Sequence, residues 1–157
     1  MIDLKTIRLQ KQMTQFQLAA KCDLPQSEIS RYEIIGLDGI KLKSLCKLAK
    51  GLDVKLYDLI DDKNTIDMLN ENINYEPGIF LDGNVSPIAE MLDICGMTQI
   101  ELSRRSKIAN TQLSRWTRGG MDSATLDNFL KIGKALKVNI NLLLWDEKLQ
   151  DLYCEVI

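Results

Sequence analysis

The chain has 157 residues, of which 45% are hydrophobic and 27% are charged, a composition that is ordinary for a globular protein. Histidine is absent and the four cysteines form no CxxC pair, which argues against a zinc site and against catalysis by a Cys-His or Ser-His pair. No apolar run is long enough to cross a bilayer and no signal peptide is evident, so we expect a cytoplasmic protein without metal, cofactor or enzymatic activity.

The net charge of −2 is distributed unevenly along the chain. Residues 1–60 and residues 86–145 each carry a net charge of +3, whereas residues 61–85 carry −5 and residues 146–157 carry −3. The two basic blocks are candidate surfaces for phosphate groups, which the charge of the whole chain conceals. The acidic segments are predicted to be a linker and a tail.

The first basic block has the spacing of five short helices. Thr14-x-x-Gln17 is a capping box, in which both side chains satisfy backbone N–H groups at the start of the second helix. We predict a third helix at Gln26–Glu33 and a fourth at Leu42–Gly51, where apolar residues recur every three or four positions. One more short helix follows, and no strand-like alternation interrupts the block.

Residues 61–85 carry the signals of a linker. Asp61–Asn72 is compatible with an extension of the last helix, and the sequence YEPG that follows has the composition of a turn. Ile79–Leu81 and the tail segment Leu152–Ile157 are both compatible with short strands. These two segments are candidates for pairing with each other or with a second chain, which would form a homodimer through linker or tail.

The second basic block repeats the first. Shifted by 84 residues, the sequence aligns with itself without a gap, so that Ser30-Arg31-Tyr32 meets Ser114-Arg115-Trp116. Apolar positions keep the same register through both blocks, which indicates two copies of one small domain. Residues 1–60 are called copy one below, and residues 86–145 are called copy two.

The helix signals of copy two lie at the corresponding positions. A first helix has Pro87 in its first turn and ends at Gly96, and the sequence TQIE from Thr98 is the second capping box. The third and fourth helices are predicted at Asn110–Thr117 and Thr125–Ala135. The fold class is therefore all-α, with two tandem five-helix domains.

Both copies resemble the helix-turn-helix domain of the phage repressor and Cro family, also called the XRE type. The resemblance rests on TQFQLAAKCDLPQSEISRYE and LKSLCKLAKGLDVKLYDLI in copy one, and on TQIELSRRSKIANTQLSRWT and LDNFLKIGKALKVNINLLL in copy two. It implies double-stranded DNA as the partner, with the third helix of one or both copies in the major groove, which is wide enough to admit a helix. We expect Tyr32 and Trp116 to belong to the core.

The resemblance also implies roles for residues at matching positions. Gln and Asn side chains can bind adenine through two hydrogen bonds, Arg can bind guanine in the same way, and amides at a helix start favour a phosphate. Each of these residues is otherwise an ordinary solvated helix residue. The candidates for base contact are Gln26, Ser27, Arg31, Asn110, Thr111 and Arg115, and those for phosphate contact are Gln15, Gln99 and Arg118.

The sequence departs from the family pattern at three places. The corner between the second and third helices usually carries glycine, because its backbone is left-handed, whereas this chain has Asp23 and Lys107. Glu28 and Glu33 would face or flank phosphates in copy one, which is unfavourable for DNA binding unless one of them reads cytosine. Exposed Ile34-Ile35 near the same edge is a candidate for contact with a protein partner. We therefore expect copy two to be the stronger DNA-binding domain.

The sequence thus predicts a sequence-specific transcriptional regulator, a repressor of the phage or mobile-element kind. Two unlike recognition helices suggest an asymmetric operator, read either by one chain as its own pseudo-dimer or by chains that pair. Two alternatives remain open. One is an antitoxin that represses its own operon and binds a toxin, and the other is a protein-interaction or anti-defence module on the same scaffold.

Overall fold

A computed structural model of the protein describes residues 3–54, 56–59, 87–119, 121 and 123–137. These residues are mostly helical, as predicted, and none of their helices is long and apolar enough to cross a membrane. The strands predicted in the linker and tail, and the last helix of copy two, lie outside the described residues. Copy one contains α1 (Leu4–Gln10), α2 (Gln15–Cys22), α3 (Gln26–Ile35), α4 (Leu42–Leu52) and α5 (Leu56–Leu59), and copy two contains α6 (Pro87–Cys95), α7 (Gln99–Ser106), α8 (Asn110–Gly119) and α9 (Leu126–Leu136).

The predicted capping box opens α2 in full. The hydroxyl of Thr14 accepts a hydrogen bond from the backbone N–H of Gln17, whose side-chain oxygen accepts one from the N–H of Thr14. In α7 the box is half formed, because Thr98 accepts from the N–H of Glu101 while the Glu101 carboxylate binds two arginines of its own helix. Each cap fixes where the second helix starts, and so the direction from which it meets the third.

The corner between the second and third helices has left-handed backbone in both copies. Asp23 follows α2 with φ 51° and ψ 51°, and Lys107 follows α7 with φ 57° and ψ 28°. The absence of glycine therefore leaves the shape of the corner intact, although this conformation costs a side chain about 1–2 kcal/mol. In copy two the hydroxyl of Ser103 donates to the backbone oxygen of Ile108 at 2.6 Å, which stabilises the corner.

The apolar core is built in the same way in both copies. Helix α2 packs against α3 and α4, and α7 packs against α8 and α9. Leu18 and Ile29 in copy one and Leu102 in copy two are completely buried at these contacts. Tyr32 and Trp116 are core residues, as predicted. One face of α3 and one face of α8 are thereby fixed against the core, which leaves their opposite faces exposed.

A sulfur atom in copy one and a hydroxyl in copy two occupy equivalent core positions. Cys22 is buried against Gly51, and a β-carbon added at Gly51 would overlap the Cys22 sulfur. The repeat equivalents are Ser106, whose hydroxyl donates to the backbone oxygen of Leu102, and Ala135. The larger thiol is therefore paired with glycine in copy one, and the smaller hydroxyl is paired with alanine in copy two. Burial raises the pKa of the Cys22 thiol to about 11, so the thiol stays protonated at neutral pH.

Gly51→Ala is expected to lower the free energy of unfolding by about 1–2 kcal/mol, because overpacking outweighs the better helix propensity of alanine. The double variant Cys22→Ser with Gly51→Ala reproduces the pair that copy two already contains and should recover most of the loss. Urea denaturation of the two variants and the parent would measure both effects. A Gly51→Ala variant as stable as the parent would contradict the expected overlap.

The two copies meet at a seam formed by residues 38–42 and 124–127, in which the Asp127 N–H donates to the Asp38 oxygen at 3.0 Å. Lys41 and Thr125, which are repeat equivalents, form an isolated antiparallel β-bridge. Two backbone hydrogen bonds of 2.8 Å flank the bridge: the Leu42 N–H donates to the Ala124 oxygen, and the Leu126 N–H donates to the Ile40 oxygen. A shift of 84 residues converts the donor and acceptor of one bond into those of the other. The bridge and the two bonds that flank it therefore have an approximate twofold axis.

Candidate nucleic-acid interface

The outer face of α8 combines exposure, positive charge and a concave shape. Thr111, Ser114, Arg115 and Arg118 line one open concavity along this helix. Three of these residues were predicted to contact DNA, and their spacing of three or four positions places them on one face. All four are neutral or positively charged. The opposite face of the helix is held by Leu113, which is completely buried.

Gln99 at the start of α7 lies against α8. Its amide nitrogen donates to the side-chain oxygen of Asn110 at 2.6 Å and to the Asn110 backbone oxygen at 3.2 Å. The hydroxyl of Thr117 lies 3.5 Å from the Gln99 side-chain oxygen and donates to the nearer Ser114 backbone oxygen at 3.0 Å. The predicted phosphate residue and the first predicted base-contacting residue of copy two are thus linked, and the Asn110 amide is oriented before any DNA binds.

The other cations of α7 are partly neutralised by the helix itself. Glu101 forms ion pairs with Arg104 at 2.5 Å and with Arg105 at 2.7 Å. The hydrogen bond from Arg105, with a smaller contribution from Arg104, lowers the pKa of the Glu101 carboxyl below its usual range. Of the positive charges on the second helix and its corner, Lys107 at the corner is the most distant along the chain from this carboxylate.

On the outer face of α3, the predicted base-contacting arginine interacts with a neighbouring side chain of its own helix. Gln26, Ser27 and Arg31 are exposed, as a base-contacting role would require. However, the Arg31 guanidinium lies 5.0 Å from the centre of the Tyr32 ring, and its Nη2 donates to the Tyr32 hydroxyl at 3.3 Å. That hydroxyl in turn donates to a Glu28 carboxylate oxygen at 3.1 Å. Arg31 would have to leave the ring in order to contact a base.

A buried ion pair underlies the same part of copy one. The Arg8 guanidinium donates to both carboxylate oxygens of Glu33, at 2.5 Å and 3.1 Å, and to the backbone oxygen of Met13. The two charged side chains are only 8% and 4% exposed. Gln15 completes the network, because its amide nitrogen donates to Glu33 at 2.8 Å.

The prediction that Glu33 faces or flanks phosphates was wrong. Its carboxylate points inward and is neutralised by Arg8, so it does not oppose DNA. Desolvation raises the pKa of Glu33, but the hydrogen bonds from Arg8 and Gln15 outweigh it and leave the pKa below its usual value. Copy two has Leu92 and Thr117 where copy one has this ion pair. The Gln15 amide thus donates to Glu33, whereas the amide of Gln99, its equivalent in copy two, donates to Asn110.

A cleft of about 320 Å³ lies beside the seam. Copy one contributes Lys41, Lys43 and Lys47, together with the acidic Glu28 near the start of α3, and copy two contributes Ser123. Lys47 is paired with Asp23 at 2.8 Å. The equivalents of these lysines in copy two are Thr125, Asp127 and Lys131, of which the last two form their own ion pair at 2.6 Å. The copy-one side of the seam is therefore the more positive side.

Several residues of this surface were not among the predicted contacts. Ser114 lies one turn from both Thr111 and Arg118, so its helical spacing was sufficient to find it. Lys41 and Lys43 were missed because the seam itself was not predicted. Arg8, which lies beneath this surface, was also missed. The only hint of its pairing with Glu33 is that copy two replaces both charges, with leucine at the position of Arg8 and threonine at that of Glu33.

Comparison with known proteins assigns both copies to one class of domain. A family model described as Helix-turn-helix matches residues 4–59 and again residues 88–143, which together exceed half of the chain. The two matches cover α1 to α5 and, in copy two, the helices from α6 onward. No curated protein and no solved structure matches the chain.

Proposed function

This chain belongs to the helix-turn-helix family, and from that premise we propose that it is a transcriptional repressor that binds one asymmetric operator with both of its copies. The family makes it a DNA-binding regulator. The choice of a repressor, and of one chain for each operator, is ours. The observation that carries the proposal is the reciprocal bonding at the seam.

The seam supports a pseudo-dimer because the two copies contribute equivalent residues to the hydrogen bonds that flank its bridge. A helix-turn-helix dimer presents two recognition helices to half-sites about one helical turn apart, related by the twofold axis of the dimer. Here two reciprocal backbone hydrogen bonds relate residues 40–42 to residues 124–126 in the same manner within one chain. The start of α3 lines the cleft beside this axis, so the recognition helix of copy one begins close to the junction.

The two copies differ in how they are suited to read DNA. In copy two, Asn110 is oriented by Gln99, and Arg115 and Arg118 both line the concave face of α8. In copy one, Arg31 lies over the Tyr32 ring. We therefore propose that copy two supplies most of the base specificity. Copy one would supply a weaker, different half-site, together with positive charge from the seam lysines.

Lys41 and Lys43 would bind phosphates near the centre of the operator. The cleft that they line straddles the two copies, so that its occupant would lie between the half-sites. Neutralising phosphates releases counterions, which makes binding fall steeply as salt concentration rises. This contribution would be independent of sequence and would come from copy one alone, since copy two has a neutral pair at the equivalent place.

Selection of bound sequences from a random duplex library, with the purified chain at near-physiological salt, tests the proposal. We expect two dissimilar half-sites at fixed spacing, with the half-site of copy two more strongly defined. The stoichiometry should be one chain for each selected duplex. A palindromic site would overturn the pseudo-dimer, since it would mean that one copy reads DNA and the protein dimerises. No enrichment at all would overturn the regulator.

A further inference from the structure

One end of copy one exposes four large apolar side chains. Leu9 is 55% exposed, Phe16 69%, Ile34 79% and Ile35 69%. Soluble domains commonly expose single apolar residues, but an apolar group of this size at one place usually marks an interaction site. These four residues are called the apolar end below.

The ion-pair network described above brings the members of the apolar end together. Leu9 follows Arg8, Phe16 follows Gln15, and Ile34 and Ile35 follow Glu33. Because Arg8 and Gln15 are both hydrogen-bonded to Glu33, the end of α1, the start of α2 and the end of α3 lie side by side. The buried network thus underlies the surface.

The repeat keeps little of this surface in copy two. The equivalents of Leu9, Ile34 and Ile35 are Asp93, Arg118 and Gly119, and only Phe16 has a large apolar equivalent, Ile100. Arg118 belongs to the concave face of α8 that we assign to DNA. At the matching place in copy one an isoleucine is the most exposed of the four side chains. An isoleucine side chain cannot bind a phosphate, so the role that we propose for Arg118 does not extend to this position of copy one.

We propose that the apolar end of copy one is covered by the apolar end of a second copy of this chain. The four side chains carry no charge, and the two charges beneath them neutralise each other. An isologous contact places each residue near its own counterpart, so an uncharged surface can pair with itself without repulsion. A strongly acidic or basic partner would find no complementary charge among these four residues.

The area is also that of a self-association surface. With their exposed fractions, the four side chains present a few hundred Å² of apolar surface, the size of patch that often marks an interaction site. A stable interface buries about 800 Å² on each partner, of which about three fifths is apolar. The apolar end therefore supplies the core of one standard interface, with a polar rim to be drawn from its surroundings.

Sedimentation velocity of the full chain without DNA, from about 1 to 100 μM, tests this contact, since interfaces of standard size have micromolar or tighter affinity. We expect the parent to form a dimer as its concentration rises. The variant Ile34→Ser with Ile35→Ser should stay monomeric, or dimerise at least tenfold more weakly. The matched control, Ile94→Ser with Ile100→Ser in copy two, should behave as the parent does. Thermal unfolding would verify that both variants remain folded.

Three outcomes would overturn the proposal: a parent that stays monomeric throughout, a copy-one variant that dimerises like the parent, or a control variant that loses the dimer equally. The first outcome would mean that a protein other than this chain covers the apolar end. Affinity for a duplex carrying a single operator, measured at concentrations where the chain is monomeric, is a separate readout. It reports on the DNA-binding proposal and should be the same for parent and control, so that failure of one proposal is distinguishable from failure of the other.

Discussion

Replacing Arg8 with leucine should lower the free energy of unfolding by about 3–5 kcal/mol, the usual cost of leaving a buried charge without its partner. The Glu33 side chain is 4% exposed and takes two hydrogen bonds from Arg8. Leucine fills part of the space but donates nothing to the carboxylate. Chemical denaturation at neutral pH would measure the loss.

The repeat itself provides the control for this change. Copy two carries Leu92 and Thr117 at the two positions, so Arg8→Leu with Glu33→Thr installs a pair that the fold already accommodates. Replacing both partners of a buried ion pair is often neutral, and we expect the double variant to recover most of the stability. A double variant no more stable than Arg8→Leu alone would show that the loss arises from packing rather than from the unpaired carboxylate.

The same pair predicts a dependence on pH. Because the pKa of Glu33 is lower in the folded protein than its ordinary value of 4.5, its ion pair stabilises the fold above that value. The contribution disappears as the pH falls from about 4.5 through the lower pKa of the folded state. The parent should therefore lose stability faster on acidification than the double variant does, and identical acid profiles would contradict the assignment.

Replacing Arg115 with alanine should weaken binding to the best selected operator by about 1–3 kcal/mol, or about 5- to 150-fold. Arg115 is exposed on the concave face of α8, and a guanidinium there can bind guanine through two hydrogen bonds. The preference for one base of the copy-two half-site should relax at the same time. Fluorescence anisotropy with the selected duplex and with single-base variants of it would measure both effects.

Arg31 is the matched control for Arg115, since the repeat places the two at equivalent positions. Arg31→Ala should cost less, because its guanidinium already interacts with the Tyr32 ring and hydroxyl in the free protein. An unchanged affinity for Arg115→Ala on a verified operator would contradict the proposed docking of copy two. A larger loss for Arg31→Ala would reverse the roles that we assign to the two copies.

Much of the fold followed from the sequence because local rules determine it. The threonine caps, the spacing of apolar residues and the duplication predicted the helices, and a helix-turn-helix corner was expected even without glycine. The helices α3 and α8 run to Ile35 and Gly119, two residues further than predicted. The end of α3 was missed because the exposed Ile34 and Ile35 do not continue the apolar periodicity of the helix.

The contacts between distant residues were the part that the sequence did not predict. Glu33 looked like an exposed carboxylate, because nothing in its neighbourhood identifies Arg8 on another helix as its partner. The seam was equally hidden, since its hydrogen bonds join backbone atoms of the residues on either side of Lys41 and Thr125, and a single bridge is too short to leave a strand pattern in the sequence. The predicted contact residues of α8 share a face through helical spacing, but their roles toward DNA stay predictions.

The seam also affects how the protein would respond to its own abundance. Two separate subunits must meet before they can read a pair of half-sites, so their occupancy of DNA falls steeply on dilution. Here the two reading units belong to one chain and are joined at the seam, so no second subunit has to associate before both can bind. Occupancy of an isolated operator would then rise in simple proportion to the amount of protein at low dose. Because the hydrogen bonds of the seam are formed by main-chain atoms, each copy can also change the exposed side chains of its recognition helix for a new half-site without removing a bond of the junction.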